Sequence, residues 1–108
     1  MKQGDLEPDL VIDITGPGGD LSTVESWRII GRLRGETEPT FDDPLDPGAV
    51  VVDPEDASKA VVTRAWVAGD TDISGTLLVE VEAQWPGGRK QTFPTDGYAQ
   101  VRITDDLG

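Results

Sequence analysis

Apolar side chains recur at every second position in five stretches of this chain. Leu10, Ile12 and Ile14 do so in 9–15, and Trp27, Ile29 and Leu33 in 24–34. Val62 and Trp66 share a parity in 59–67, as do Leu77, Val79, Val81, Ala83 and Trp85 in 76–85. Ala99, Val101 and Ile103 close the series. A period of two places alternate side chains on opposite faces of an extended chain, so each stretch predicts a strand with one buried face. The 76–85 alternation is the cleanest, with Glu80, Glu82 and Gln84 on the outward parity. Three weaker segments complete the set. Residues 36–45 predict a short edge strand around Thr40 and Phe41, broken by Pro39 and Pro44. Residues 49–52 (AVVV) read as a short buried strand, and 90–93 as the return of a hairpin. In 24–34, Ile30 spoils the polar face, and Gly31 marks a bulge or a close backbone approach.

The connections carry turn chemistry. Residues 16–20 (GPGGD) and Pro86-Gly87-Gly88 supply the backbone freedom of tight reversals. Gly69 to Gly75 forms a turn feeding the long strand, and Pro94 ends the 90–93 segment. In 53–58, Asp53 as a cap, Pro54 in first position and the following acids predict one short helical turn. Short strands separated by turns every eight to twelve residues, with no amphipathic helix and no repeat, predict an all-β fold. The expected architecture is an Ig-like antiparallel β-sandwich of about seven strands. It would occupy residues 9–103, with a flexible N-terminal arm at 1–8 and a C-terminal tail at 104–108. The Cys–Trp–Cys pattern of antibody domains is missing, so the likeness is one of architecture. Trp27, Trp66 and Trp85 are expected in the core.

Composition narrows the function. The 108 residues suit one domain. About a quarter are Leu, Ile, Val or Phe, above the level at which a highly charged chain stays disordered. The net charge is -12, with no histidine and no cysteine. Such acidity opposes phosphate-backbone binding and docking on anionic membranes, so neither nucleic acid nor membrane is an expected partner. Disulfides and thiolate metal sites are excluded. The first residues lack an apolar core, which predicts synthesis in the cytoplasm without a signal peptide.

Without His or Cys the usual nucleophile–base pairs are absent, and the chain is expected not to be an enzyme and to hold no cofactor. Asp70-Thr71-Asp72-Ile73-Ser74-Gly75 matches the opening of a calcium loop. Val81, however, stands where the closing Glu would be, and flanking helices are missing, so a capped tight turn is the expected reading. Gly16-Pro17-Gly18-Gly19 lacks the Lys-Ser or Lys-Thr of a phosphate cradle. Arg28, Arg32 and Arg34 share one strand face. They are expected to pair across strands with Glu80 and Glu82, or to form a contact surface for an acidic partner. With Leu6 and Pro8 of the arm, they are the candidate protein-contact residues.

Asp5–Pro8 (DLEP), Thr15-Gly16 followed by Asp20-Leu21, the strand 27–34, and Asp70-Thr71 with Gly75 form one series of anchors. Thr92-Phe93-Pro94, Gly97-Tyr98 and Val101-Arg102-Ile103 complete it. Together these resemble the small virion proteins of tailed phages related to the N-terminal domain of baseplate upper proteins. The resemblance runs over nearly the whole chain and rests on turns and strand anchors. It implies a β-sandwich in the virion, made in the host cytoplasm. Its partners would be other tail, baseplate or capsid proteins, or further copies of itself, and it implies no catalytic residue. Baseplate upper proteins continue into coiled-coil and receptor-binding regions, so these 108 residues are expected to act as a self-contained module at the tail, the baseplate or the head–tail junction. A capsid decoration protein fits the same features. A carbohydrate-binding module aiding host adsorption is a further alternative, for which Tyr98 and Trp66 are the candidate aromatics.

Overall fold

In a computed structural model, residues 1–16, 20–94 and 98–105 are described. Residues 17–19 of the turn expected at 16–20, Gly97 of the resemblance and residues 106–108 of the tail expected at 104–108 lie outside these residues. Among the described residues, eight strands form two antiparallel sheets. The smaller sheet has the order β1-β5-β4, from β1 (Leu10–Thr15), β5 (Asp56–Arg64) and β4 (Val50–Asp53). The larger runs β3-β2-β6-β7, from β3 (Phe41–Leu45), β2 (Ser26–Leu33), β6 (Gly75–Gln84) and β7 (Lys90–Phe93). β8 (Ala99–Ile103) also pairs with β6.

β6 is the spine because its alternation is strict. Leu77, Val79, Val81 and Ala83 are fully buried, and each of the three larger side chains contributes about 1.5–3 kcal/mol over exposure. On one side β6 pairs with β2 along eight positions, from Ser26 opposite Gln84 to Leu33 opposite Leu77. On the other it pairs with β7 through Val81–Phe93 and with β8 through Val79–Ala99. Between those two pairings β6 has one residue, Glu80, while the returning chain has five, 94–98. The inward residues of both sheets form one core, which includes Ile12, Ile14, Ile29, Val62, Phe93 and Ile103. Trp27, Trp66 and Trp85 join it, as their spacing predicts. The indole N–H of Trp66 donates to the Pro8 carbonyl at 2.9 Å, and that of Trp85 to the Asp20 carbonyl at 3.1 Å. Each ring therefore buries its apolar body with its polar edge satisfied.

Gly31 is a close approach. A Cβ there would overlap the ring of Phe41, which stands opposite it on β3. That fit lets β3 form through Pro44, where an edge position tolerates the missing donor. At the β6–β7 reversal, Gly87 and Gly88 both take positive φ, near 90°, and the Trp85 N–H donates to the Arg89 carbonyl at 2.8 Å.

Two local expectations are corrected. Residues 53–58 form no helical turn: Pro54 and Glu55 make a two-residue hairpin between β4 and β5. The Asp53 carboxylate caps the Glu55 N–H at 2.9 Å, so the residues that could open a helix close a hairpin instead. β4 is not a buried strand, because it lies at the edge of the smaller sheet with Val51 63% exposed. Residues 1–8, read as an arm, are hydrogen-bonded to the fold. Met1 and Gln3 pair with the backbone of Thr104, and the Gly4 N–H donates to the Thr71 carbonyl. The buried Thr71 hydroxyl donates to the Asp5 carbonyl at 2.9 Å.

The parity that points Val62 and Trp66 inward also points Arg64 inward. Its side chain is 7% exposed. It donates to Asp70 at 2.8 Å and to Asp43 at 3.1 Å, and lies 3.7 Å over the ring of Phe41. The guanidinium thus joins β5, the β5–β6 connection and β3 of the other sheet. Asp70 also accepts the Val67 N–H at 2.9 Å.

Asp70 is 9% exposed and Asp43 51%, so the two arms of this fork differ in weight. Asp70→Ala is expected to cost about 3–5 kcal/mol, the scale for stranding a buried charge. Asp43→Ala is expected to cost less than about 1 kcal/mol, as for an exposed pair. Urea denaturation of the two variants checks this, and equal losses would contradict the assignment. A second expectation concerns pH. The Ser58 hydroxyl and backbone N–H hold the Asp56 carboxyl below its ordinary pKa. A depressed carboxylate stabilises the fold above its unfolded pKa and loses that contribution as pH falls through the folded value. NMR titration of the carboxyl carbons is expected to place Asp56 below its ordinary value, and Ser58→Ala to move it up.

Candidate functional site

The outward face of the larger sheet carries the arginine row. Arg28, Ile30 and Arg32 project there from β2, opposite Glu82, Glu80 and Leu78 of β6. Ile30 and Leu78 are apolar residues at outward positions; Ile30 is half-buried and Leu78 only 9% exposed. Their cover comes from outside the sheet. Pro39 and Thr37 of the β2–β3 connection stand on one side and Tyr98, just before β8, on the other. Together with Arg32 and Glu80 they line a groove of about 240 Å³. Tyr98 is 43% exposed. Pockets for drug-sized ligands run to about 300–1,000 Å³, so this groove suits a single side chain or ring.

The charges on this face are not paired as the sequence suggests. Arg28 lies directly across from Glu82, yet its Nε and Nη2 fork onto both carboxylate oxygens of Asp42 on β3. Asp42 raises the Arg28 pKa, through the hydrogen bond first and its charge second. Glu82 instead has Lys90 at 3.9 Å. That leaves Arg32, Glu80 and, on β8, Arg102 as the charges of this face with no ion pair among the described residues; Arg102 is exposed to water, whereas Arg32 and Glu80 are half-buried. A half-buried charge without a partner has lost solvation with no Coulombic return, and a ligand supplying the complement restores it. The groove therefore offers one cation, one anion, an aromatic ring and an aliphatic floor.

The other candidates lie elsewhere. Arg34 follows β2 in the Arg34–Gly35 turn and is exposed, with its backbone N–H on the Thr76 carbonyl at 2.8 Å. Leu6 and Pro8 are exposed on the N-terminal segment, whose hydrogen-bond neighbours include Trp66, Thr71, Asp72 and Thr104 and none of the arginine row. Trp66 is 6% exposed and its indole N–H is engaged, so it offers no platform for a sugar ring. In the 70–75 turn, Asp70 is committed to Arg64, and no group of three or more acids that could hold a metal occurs among the described residues. A more open concavity of about 410 Å³ at the β6–β8 end is lined by Ser74–Thr76 and by 102–105, apart from the arginine row. Sequence reasoning found Arg32, Glu80 and Tyr98 separately but not their convergence. The signal was the apolar residues at outward parity, Ile30 and Leu78, since a sheet face open to water has no use for them.

No family model, no curated protein and no solved structure matches this chain.

Proposed function

We propose that this chain is a non-enzymatic structural module of a tailed-phage virion. It would be an immunoglobulin-like sandwich that acts through protein–protein contacts at the tail, the baseplate or the head–tail junction. The observation that carries the reading is the groove of Arg32, Glu80 and Tyr98 over Ile30 and Leu78. Arg and aromatic residues are enriched among the anchors of protein interfaces, and such anchors fill pockets at their centre. The series of anchors resembling baseplate upper proteins supports the same reading. Its members fall at structural joints: Thr92 and Phe93 end β7, Val101–Ile103 end β8, and the 70–75 turn leads into β6. The acidic surface favours solubility before assembly.

Tyr98 keeps a second reading in play. An exposed tyrosine beside a carboxylate and a guanidinium is also a platform for a sugar ring, which would make the module an aid to adsorption. Capsid decoration differs from the first reading only in location.

Mass spectrometry and immunogold microscopy of gradient-purified particles from the phage that carries this gene test the proposal. The chain is expected in the particles, with label at one tail end. Label over the heads would make it a decoration protein, and its absence from particles would overturn the virion reading. The groove gives a sharper expectation. Tyr98→Ala and Arg32→Ala are each expected to weaken incorporation about thirty-fold, the scale of a 2 kcal/mol anchor. The thermal midpoint of the isolated protein should stay near that of the unsubstituted chain. Unchanged incorporation would remove the groove from the interface.

A further inference from the structure

Each open edge of a sheet exposes unpaired backbone donors and acceptors, and proteins blunt such edges with proline, charge, bulges or short length. Three edges here are blunted. β3 carries Pro44 beside Asp42 and Asp43. β4 has four residues and a register shift at Val52/Asp53. The β7–β8 edge is two short strands separated by residues 94–98. β1 has no proline and no bulge and is not short, and its one charge is Asp13. It is six residues long, contains no proline, and pairs with β5 in unbroken register from Leu10–Arg64 to Thr15–Lys59. It ends its sheet, so alternate N–H and C=O groups face away from β5 with no partner strand among the described residues.

A groove runs beside this edge. Residues 12–15 of β1 form one wall and Phe93, Pro94 and Ala99 the other, enclosing about 360 Å³ between the two sheets. A strand added to β1 would turn alternate side chains into that groove, against Phe93 and Ala99. The intervening side chains would lie over the outer face of the smaller sheet, beside Asp13, Val11 and Val61, the last two 59% and 39% exposed. The charge of that outer face selects the occupant. Asp9 and Asp13 are the ionisable residues in 9–15. The cation nearest in register, Lys59 opposite Thr15, has Asp56 at 3.9 Å. A second copy of this chain, with 21 acids against 9 basic residues, is a poor match.

We infer that the β1 edge is a docking site for an extended segment of another protein, one that alternates apolar residues, seated in the groove, with basic residues facing Asp13. Backbone pairing would supply affinity and the alternation specificity, as in other strand additions. The inference is separate from the virion reading and uses a different surface from the Arg32 groove.

The test uses the whole protein and a ten-residue peptide of alternating valine and lysine. Two controls are its glutamate counterpart and a fully N-methylated version, which keeps the side chains but cannot donate to a ladder. Amide hydrogen exchange and chemical shifts followed by NMR are expected to show at least tenfold slower exchange within 10–15 on peptide addition. The glutamate and N-methylated peptides should produce no slowing, and Asp13→Lys should weaken the valine–lysine peptide severalfold while leaving the fold's spectrum intact. No slowing within 10–15 at millimolar peptide would overturn the inference. So would equal binding by the N-methylated peptide, or shifts confined to the Arg32 groove, which would mark charge attraction alone.

Discussion

The fold turns on one buried cation. Arg64 projects from β5 into the space between the sheets, where an unpaired guanidinium would cost several kcal/mol in lost hydration. The chain answers from two directions. Asp70, from the connection to β6, and Asp43, from β3 of the other sheet, take its two ends, and Phe41 lies under its face. Phe41 in turn meets Trp66 edge-on, with ring centroids 6.3 Å apart, and can do so only because Gly31 leaves room beneath it. A single charge thus fixes where β3 lies, how the chain crosses between sheets, and why a glycine sits mid-strand in β2. An apolar residue at position 64 could fill the volume, but it would not discriminate among the ways β3 and the crossover could pack.

Downstream of that crossover the constraint is simpler. β6 must satisfy three partner strands, and a ten-residue run with every inward side chain buried does so. The cost falls on the far side, where the last two strands share one edge, and the chain carries five residues of sequence between their pairings against Glu80 alone on β6. Tyr98 belongs to that excess. Its position over the outer face follows from the same register that seats Val79 against Ala99. The groove is therefore a by-product of how the core is closed, with Ile30 and Leu78 as its floor.

The sequence is legible where the physics is local. β1 and β6 follow from alternation alone, and the Gly87-Gly88 reversal from backbone freedom. It is illegible where the outcome depends on distant partners. Asp53-Pro54 can open a helix or close a hairpin, and the pairing of Val51 with Val61 decides for the hairpin. Residues 1–8 have no periodicity, and their backbone hydrogen bonds go to Thr71 and Thr104, far along the chain. Arg64 is the instructive case. Its inward position was implicit in the parity of Val62 and Trp66, but the residues that make a buried arginine tolerable, Asp43 and Asp70, carry no local mark of that duty. The groove shows the same division, since the outward apolar parity of Ile30 and Leu78 was visible and their cover was not.

The distribution of charge separates what the chain uses for itself from what it presents. Arg28, Arg64, Lys59 and Lys90 each have an acid within 4 Å, so most of the basic charge on the strands is spent internally. Arg32 is withheld from that pairing although Glu80 is its diagonal neighbour across β2 and β6. Had the two side chains closed on each other, the face would be a self-satisfied lattice like the Arg28–Asp42 fork beside it. Held apart in a groove they share with Ile30, Leu78 and Tyr98, they leave a cation and an anion to be satisfied by something else. An exposed lattice of pairs needs nothing from outside, whereas a half-buried cation and anion without partners gain most from a ligand that completes them. Arg102 of β8, also on that face, has no ion pair either but is exposed to water, so that difference singles out the groove as the place where binding energy is available.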